Sequence, residues 1–137
     1  MRTNLLVAGL GLWLTAVPMW SHHSFAAEFD ANKVVKLHGT VMRMEWVNPH
    51  AWIHINVQKP DGATTEWMIE GNTPNGLLRR GFTKKSLEPG TEVFVEGYQA
   101  KSGDNKANGA SITFKDGKKL FLGSSKDDER AQAQPKQ

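Results

Sequence analysis

Five histidines, His22, His23, His38, His50 and His54, are the main chemical resource of a 137-residue chain that has no cysteine. Imidazole nitrogens suit copper and zinc. His50, Trp52 and His54 share parity on an alternating stretch, opposite Ile53, Ile55 and Val57, so the three belong on its less buried face. Residues four apart on a strand are separated by about 13 Å, whereas two imidazoles on one ion bring their nitrogens within about 2.1 Å of it. His50 and His54 alone therefore do not chelate one ion, unless Asn48-Pro49 bends His50 back over the strand. A chain cut after Ser21 would begin at His22 and offer an amine as well as a ring, with His23 adding a second imidazole. The metal set suggested is His22, His23, His50 and His54, with copper, or else zinc, as its ion. Copper(I) would also accept Met42 or Met44, and Trp46 or Trp52 would cover it through a cation–π contact.

A second candidate surface is basic. Arg79, Arg80, Lys84 and Lys85 cluster at and just beyond a predicted helix end, where cations also complement the helix dipole. Trp52 beside the histidines suits stacking on a sugar or base, so Trp52, Arg79, Arg80 and Lys84 form a candidate site for a glycan, a lipid headgroup or a protein partner. Nucleic acid is not expected: 17 Lys+Arg against 14 Asp+Glu give a net charge of only +3, and the chain reads as exported. Catalysis finds no support, since there is no thiol, no zinc-protease motif, no phosphate-cradling glycine loop and no serine in a nucleophile turn. Glu66 and Glu70, four apart on a predicted strand, read as a surface pattern.

The elements that must position these residues begin after an export signal. Arg2, the apolar run Leu5 to Val17 and the breaker Pro18 follow the plan of a secretory signal peptide. The run is shorter than the roughly 20 residues that span a bilayer, so no stable membrane insertion is expected after cleavage. Residues 1–21 are assigned to the signal, although Ser24 and Ala26 allow a cut as late as 26. Residues 22–123 form one domain, and 124–137, with no large apolar residue, a disordered polar tail.

Between Val34 and Gly123 the apolar residues alternate, punctuated by turns at Lys59-Pro60-Asp61-Gly62, Glu88-Pro89-Gly90, Ser102-Gly103-Asp104-Asn105 and Lys115-Asp116-Gly117. Strands are predicted at 34–47, 51–58, 64–70, 92–100, 108–115 and 118–122. One short helix lies between the third and fourth, with Thr73 as N-cap, Pro74 at the first helical position and Gly81 at the C-terminal cap. That order predicts an all-β, small OB-like Greek-key barrel of five to six strands. In the first strand the apolar parity switches from Val35, Leu37 and Val41 to Met42, Met44 and Trp46. A bulge near Gly39 to Met42 would keep Arg43 and Glu45 out of the core and place Met42, Met44 and Trp46 in it.

The stretches His22-His23-Ser24-Phe25-Ala26-Ala27-Glu28-Phe29-Asp30 and Glu45-Trp46-Val47-Asn48-Pro49-His50-Ala51-Trp52 resemble a bacterial family of small exported proteins, domain of unknown function 6152. The likeness continues through Pro74 to Gly81, Leu87 to Gly90 and Val95 to Lys101. It implies export but no activity or ligand. In architecture alone the chain is also similar to periplasmic copper metallochaperones, small barrels that hold copper(I) with His, Met and Trp. The expectation is a periplasmic, non-enzymatic binding protein, of metal or else of a periplasmic ligand or partner.

Overall fold

The computed structural model describes residues 25–123. The expected signal peptide, its cleavage site, His22, His23 and the polar tail lie outside the described residues. Within them the protein is mainly β. Six strands, β1 (Phe29–Glu45), β2 (Trp52–Gln58), β3 (Thr64–Glu70), β4 (Glu92–Ala100), β5 (Lys106–Phe114) and β6 (Lys119–Phe121), accompany two short helices, α1 (Phe25–Glu28) and α2 (Pro74–Arg79). They form one sheet in the order β3-β2-β1-β4-β5-β6, each neighbour antiparallel. A further, parallel pairing of β3 with β5 joins β1, β2, β3, β5 and β4 in a ring.

The first strand starts earlier than its alternation suggests, at Phe29 instead of Val34. Phe29 pairs with Ala100 and stacks on Phe25, which meets Tyr98 edge-on. This small apolar cluster extends the strand past the polar Asp30, Asn32 and Lys33, over which the register slips. Along its length β1 serves two partners, β4 through residues 29–40 and β2 through residues 39–45.

The parity switch resolves as a bulge between Val41 and Arg43. Val41 faces inward before it, and Met44 and Trp46 pack against the core after it. Met42, expected inside with them, is instead the extra residue and is exposed. A bulge leaves one side chain without a place in the pleat, and here that residue is Met42. Gly39 lies just upstream, where a Cβ would stand 2.6 Å from the Asn56 carbonyl oxygen.

Inside the ring, Ile53, Ile55, Ile69, Val93, Val95 and Ile112 form a continuous apolar core. The α2 region supplies Leu77, Phe82 and Leu87 to the same core. That helix starts as its residues dictate: the Thr73 hydroxyl accepts from the Gly76 N–H at 3.0 Å, and Pro74 fills a position that needs no donor. Gly81, with φ of 97°, then turns the chain so that Phe82 can bury. No helix among the described residues is long and apolar enough to cross a membrane.

Candidate functional site

Alternation and register assemble one polar surface on the outside of β1, β2, β3 and β5. On one side of β2, Arg43 lies across from His54 and Glu45 from Trp52. On the other side, Glu66 lies across from Asn56, Met68 from His54 and Glu70 from Trp52. The β5 strand continues the rows with Lys106 beside Met68 and Asn108 beside Glu70. All of these share the face opposite Ile53 and Ile55, because strand side chains alternate. The bulge is what brings Arg43 and Glu45 onto it.

His54 is at the centre of this face. It was expected on the less buried side of β2; the side is as expected, but the ring is only 2% exposed. Alternation determines which way a side chain points, and the neighbouring strands determine how deeply it is covered. The Nδ1–H of His54 donates to Glu66 Oε1 at 2.7 Å. A carboxylate only accepts, so Nδ1 carries the proton in this bond. On the far side of the ring, Nε2 lies 3.5 Å from Glu45 Oε1 and makes no hydrogen bond. Arg43 spans the two acids, its Nη2 at 3.5 Å from Glu66 and its Nε at 4.0 Å from Glu45.

His50 and Glu70 make a second pair. His50 Nδ1 donates to the Gly71 carbonyl oxygen at 3.1 Å and lies 3.9 Å from Glu70 Oε1. Glu70 is buried and accepts from Asn108 Nδ2 at 3.1 Å. Burial pushes its carboxyl above the ordinary carboxylate range against the pull of His50; Glu28 adds to the rise, while Asn108 and Lys106 oppose it. Glu66 and Glu70, read from sequence as a surface pattern, thus each have a histidine partner.

The start of the described chain is fastened beside this face. Glu28 pairs with Lys106, the Lys101 backbone N–H donates to the Glu28 carbonyl at 2.9 Å, and the Lys101 ammonium donates to the Ala26 carbonyl. His22 and His23 precede Phe25 by three residues and two.

Of the residues singled out by sequence, His50 and His54 lie on or next to β2, each with its own partners. Among the described residues, no three His, Asp or Glu side chains converge on a point that would hold a metal ion. Trp52 is half-buried between the positions of Glu45 and Glu70. Arg79, Arg80, Lys84 and Lys85 are exposed at the end of α2 and after it. Arg80 lines a groove of about 770 Å³ with Ser111, Leu120 and Phe121. Arg43, Glu45 and Glu66 were missed as site residues. For Arg43 and Glu45 the sequence signal is the parity switch, which points them outward without saying what they meet; for Glu66 it is its four-residue spacing from Glu70 on one strand.

Fold and face together define a small mainly-β protein that holds a buried imidazole between two carboxylates on the outside of its strands. The chain belongs to a family of unknown function, DUF6152, whose model matches residues 11–110. No curated protein and no solved structure matches it.

Proposed function

We propose that this is an exported, non-catalytic binding protein of the bacterial periplasm that holds a transition-metal ion on the outer face of β1, β2 and β3. The observation that carries the reading is His54. A metal-bound histidine characteristically donates its other ring N–H to a carboxylate, which sets the tautomer and aims the ligating lone pair. Glu66 stands in that position behind His54, and Nε2 has no hydrogen-bond partner.

His22 and His23 complete the ligand set in this reading. His50 is oriented in the same way as His54, its Nδ1–H held by the Gly71 carbonyl, which leaves Nε2 as its ligating atom. The ring of pairings, with α2 between β3 and β4, supports an OB-like Greek-key barrel as the scaffold. Export rests on the signal-like plan of residues 1–21.

Calorimetric titration of the processed chain with copper(I), copper(II) and zinc is expected to give at least one dissociation constant below about 10 μM, lost in His54→Ala. Uniformly weaker binding, or an unaffected His54→Ala, ends the metal reading. Capture of a glycan, lipid headgroup or protein that withstands chelator and is lost in Trp52→Ala would replace it with an adaptor. Intact mass of protein recovered from the periplasm tests both export and the terminal His22.

A further inference from the structure

We infer that the groove between the end of α2 and β6 binds a small monoanion with an apolar body, a carboxylate on an acyl chain, held at its head by Arg80. The groove shares no residue with the face around His54, so this site does not depend on metal binding there.

The groove arises from the way the chain returns past α2. The Arg80 backbone N–H donates to the Leu77 carbonyl oxygen at 3.0 Å and closes the helix. At the next residue, Gly81, a Cβ would stand 3.6 Å from Leu120 Cδ2, so the helix end lies directly beside β6. The Arg80 guanidinium lies against Gly123, where any Cβ would overlap it. Glycine at 123 thus leaves the guanidinium its place along the chain that follows β6. The space that remains is about 770 Å³, within the roughly 300–1,000 Å³ of small-molecule pockets.

The apolar wall belongs to the edge of the sheet. β6 is the outermost strand, and its Leu120 and Phe121 line the groove together with Ala110 of β5. Phe121 is 63% exposed. Folding therefore leaves an aromatic ring in water beside an open groove, and covering it with an acyl chain is favourable in proportion to the area removed from water.

Charge selects the head group. Arg80 and Lys119 are the cations of the lining and Glu96 is its acid. Glu96 faces Lys119 at 3.8 Å, and Arg80 has no carboxylate within ion-pair distance among the described residues. The lining carries one net positive charge and balances one negative charge. A guanidinium presents a planar fork of donors that matches a carboxylate. Ser111, across from Glu96 and Phe121, adds a second donor. It is 4% exposed, lies on the groove wall, and its hydroxyl makes no hydrogen bond to the described residues. A covered hydroxyl without a partner costs free energy that a ligand oxygen recovers. A dianion would leave one charge unbalanced, and a neutral apolar molecule would leave both Arg80 and Ser111 unused.

The test titrates the whole processed chain with dodecanoate, below its micelle concentration, by calorimetry. One site with a dissociation constant below about 100 μM is expected. Arg80→Gln is expected to weaken it at least about tenfold, and Phe121→Ser and Ser111→Ala each several-fold. Lys59→Gln, which removes a like charge from the β2–β3 turn, should bind as the parent does. Acetate, the head without the chain, and dodecyltrimethylammonium, the chain with a cationic head, should each bind at least about tenfold more weakly than dodecanoate. Amide shift changes in NMR spectra should concentrate at Ala110, Ser111, Leu120 and Phe121. Dodecyltrimethylammonium binding as tightly as dodecanoate, or equal weakening in Lys59→Gln and Arg80→Gln, would overturn the role of Arg80. Acetate binding as tightly would overturn the apolar body. No dodecanoate binding, or shift changes centred on β1, β2 and β3, would overturn the groove as the site. Metal titration of Arg80→Gln should match the parent, so failure of this site and failure of the metal reading are told apart.

Discussion

His38 and His54 each stand against a glutamate at nearly the same distance, 2.8 Å to Glu92 and 2.7 Å to Glu66, yet the two pairs do different things. The His38 side chain is 58% exposed, stacks on the exposed Phe94, and holds the Glu92 carboxyl below the ordinary range chiefly through its hydrogen bond. Water and salt screen such a pair, so it adds little to the fold. The His54 ring is covered, has an acid on both sides, and leaves one nitrogen unused. Distance alone does not make a site. Burial of the imidazole, with an orphaned nitrogen, is what distinguishes the second pair. His50 and Glu70 reverse the arrangement, since there the carboxylate is the buried member.

The contrast depends first on the bulge, and the largest expected effect comes from shifting the residues just after it. Deleting Met44 would turn Glu45 inward and Trp46 outward, burying a charge among Val41, Ile53 and Ile55; the variant is expected to lose its cooperative thermal transition. Deleting Met42, the extra residue itself, restores unbroken alternation and should leave one transition, as monitored by circular dichroism. If both deletions behave alike, the bulge does not set the faces.

Next in size is the difference between the histidines. His54→Ala removes a buried ring and strips Glu66 of its donor, with an expected loss of about 2–3 kcal/mol in urea unfolding. His38→Ala, at a solvated position, should leave the unfolding midpoint almost where it was. Equal losses would erase the distinction between the two pairs.

Smaller still is the effect at Glu70. Burial raises its pKa above the unfolded value, so the stability it contributes is complete below the ordinary carboxylate range and is lost as pH rises through the raised value. Glu70→Gln keeps an oxygen for Asn108 and removes that loss. Melting temperatures of variant and parent should therefore agree in acid and separate by a few degrees near neutrality, with the variant higher. A parent that gains stability over that pH interval relative to Glu70→Gln would reverse the sign.

The secondary structure was legible where local chemistry is strong. Thr73, Pro74 and Gly81 marked the ends of α2, glycine-containing turns bounded the strands, and the alternation of Ile53, Ile55 and Val57 gave the inner side of β2. The switch from Val41 to Met44 and Trp46 announced the bulge, though it assigned Met42 to the core. The environment of His54 was not legible, because the acids that flank its ring are Glu45, well before it in the chain, and Glu66, well after. Phe29 and the early start of β1 were hidden for a similar reason: their packing partners, Tyr98 and Ala100, lie far along the chain on β4.

What the sequence determined by itself was a set of directions: where most of the strands and the helix begin and end, and to which side most residues point, the start of β1 and Met42 being the exceptions. These arise from the two-residue pleat and from caps and turns, which act within a few neighbours. Only the tertiary structure decided which directions meet. By pairing β2 between β1 and β3, and joining β3 to β5, it enclosed one histidine between two acids and left another in water, since burial and electrostatic environment are set by chains adjacent in space and not in sequence.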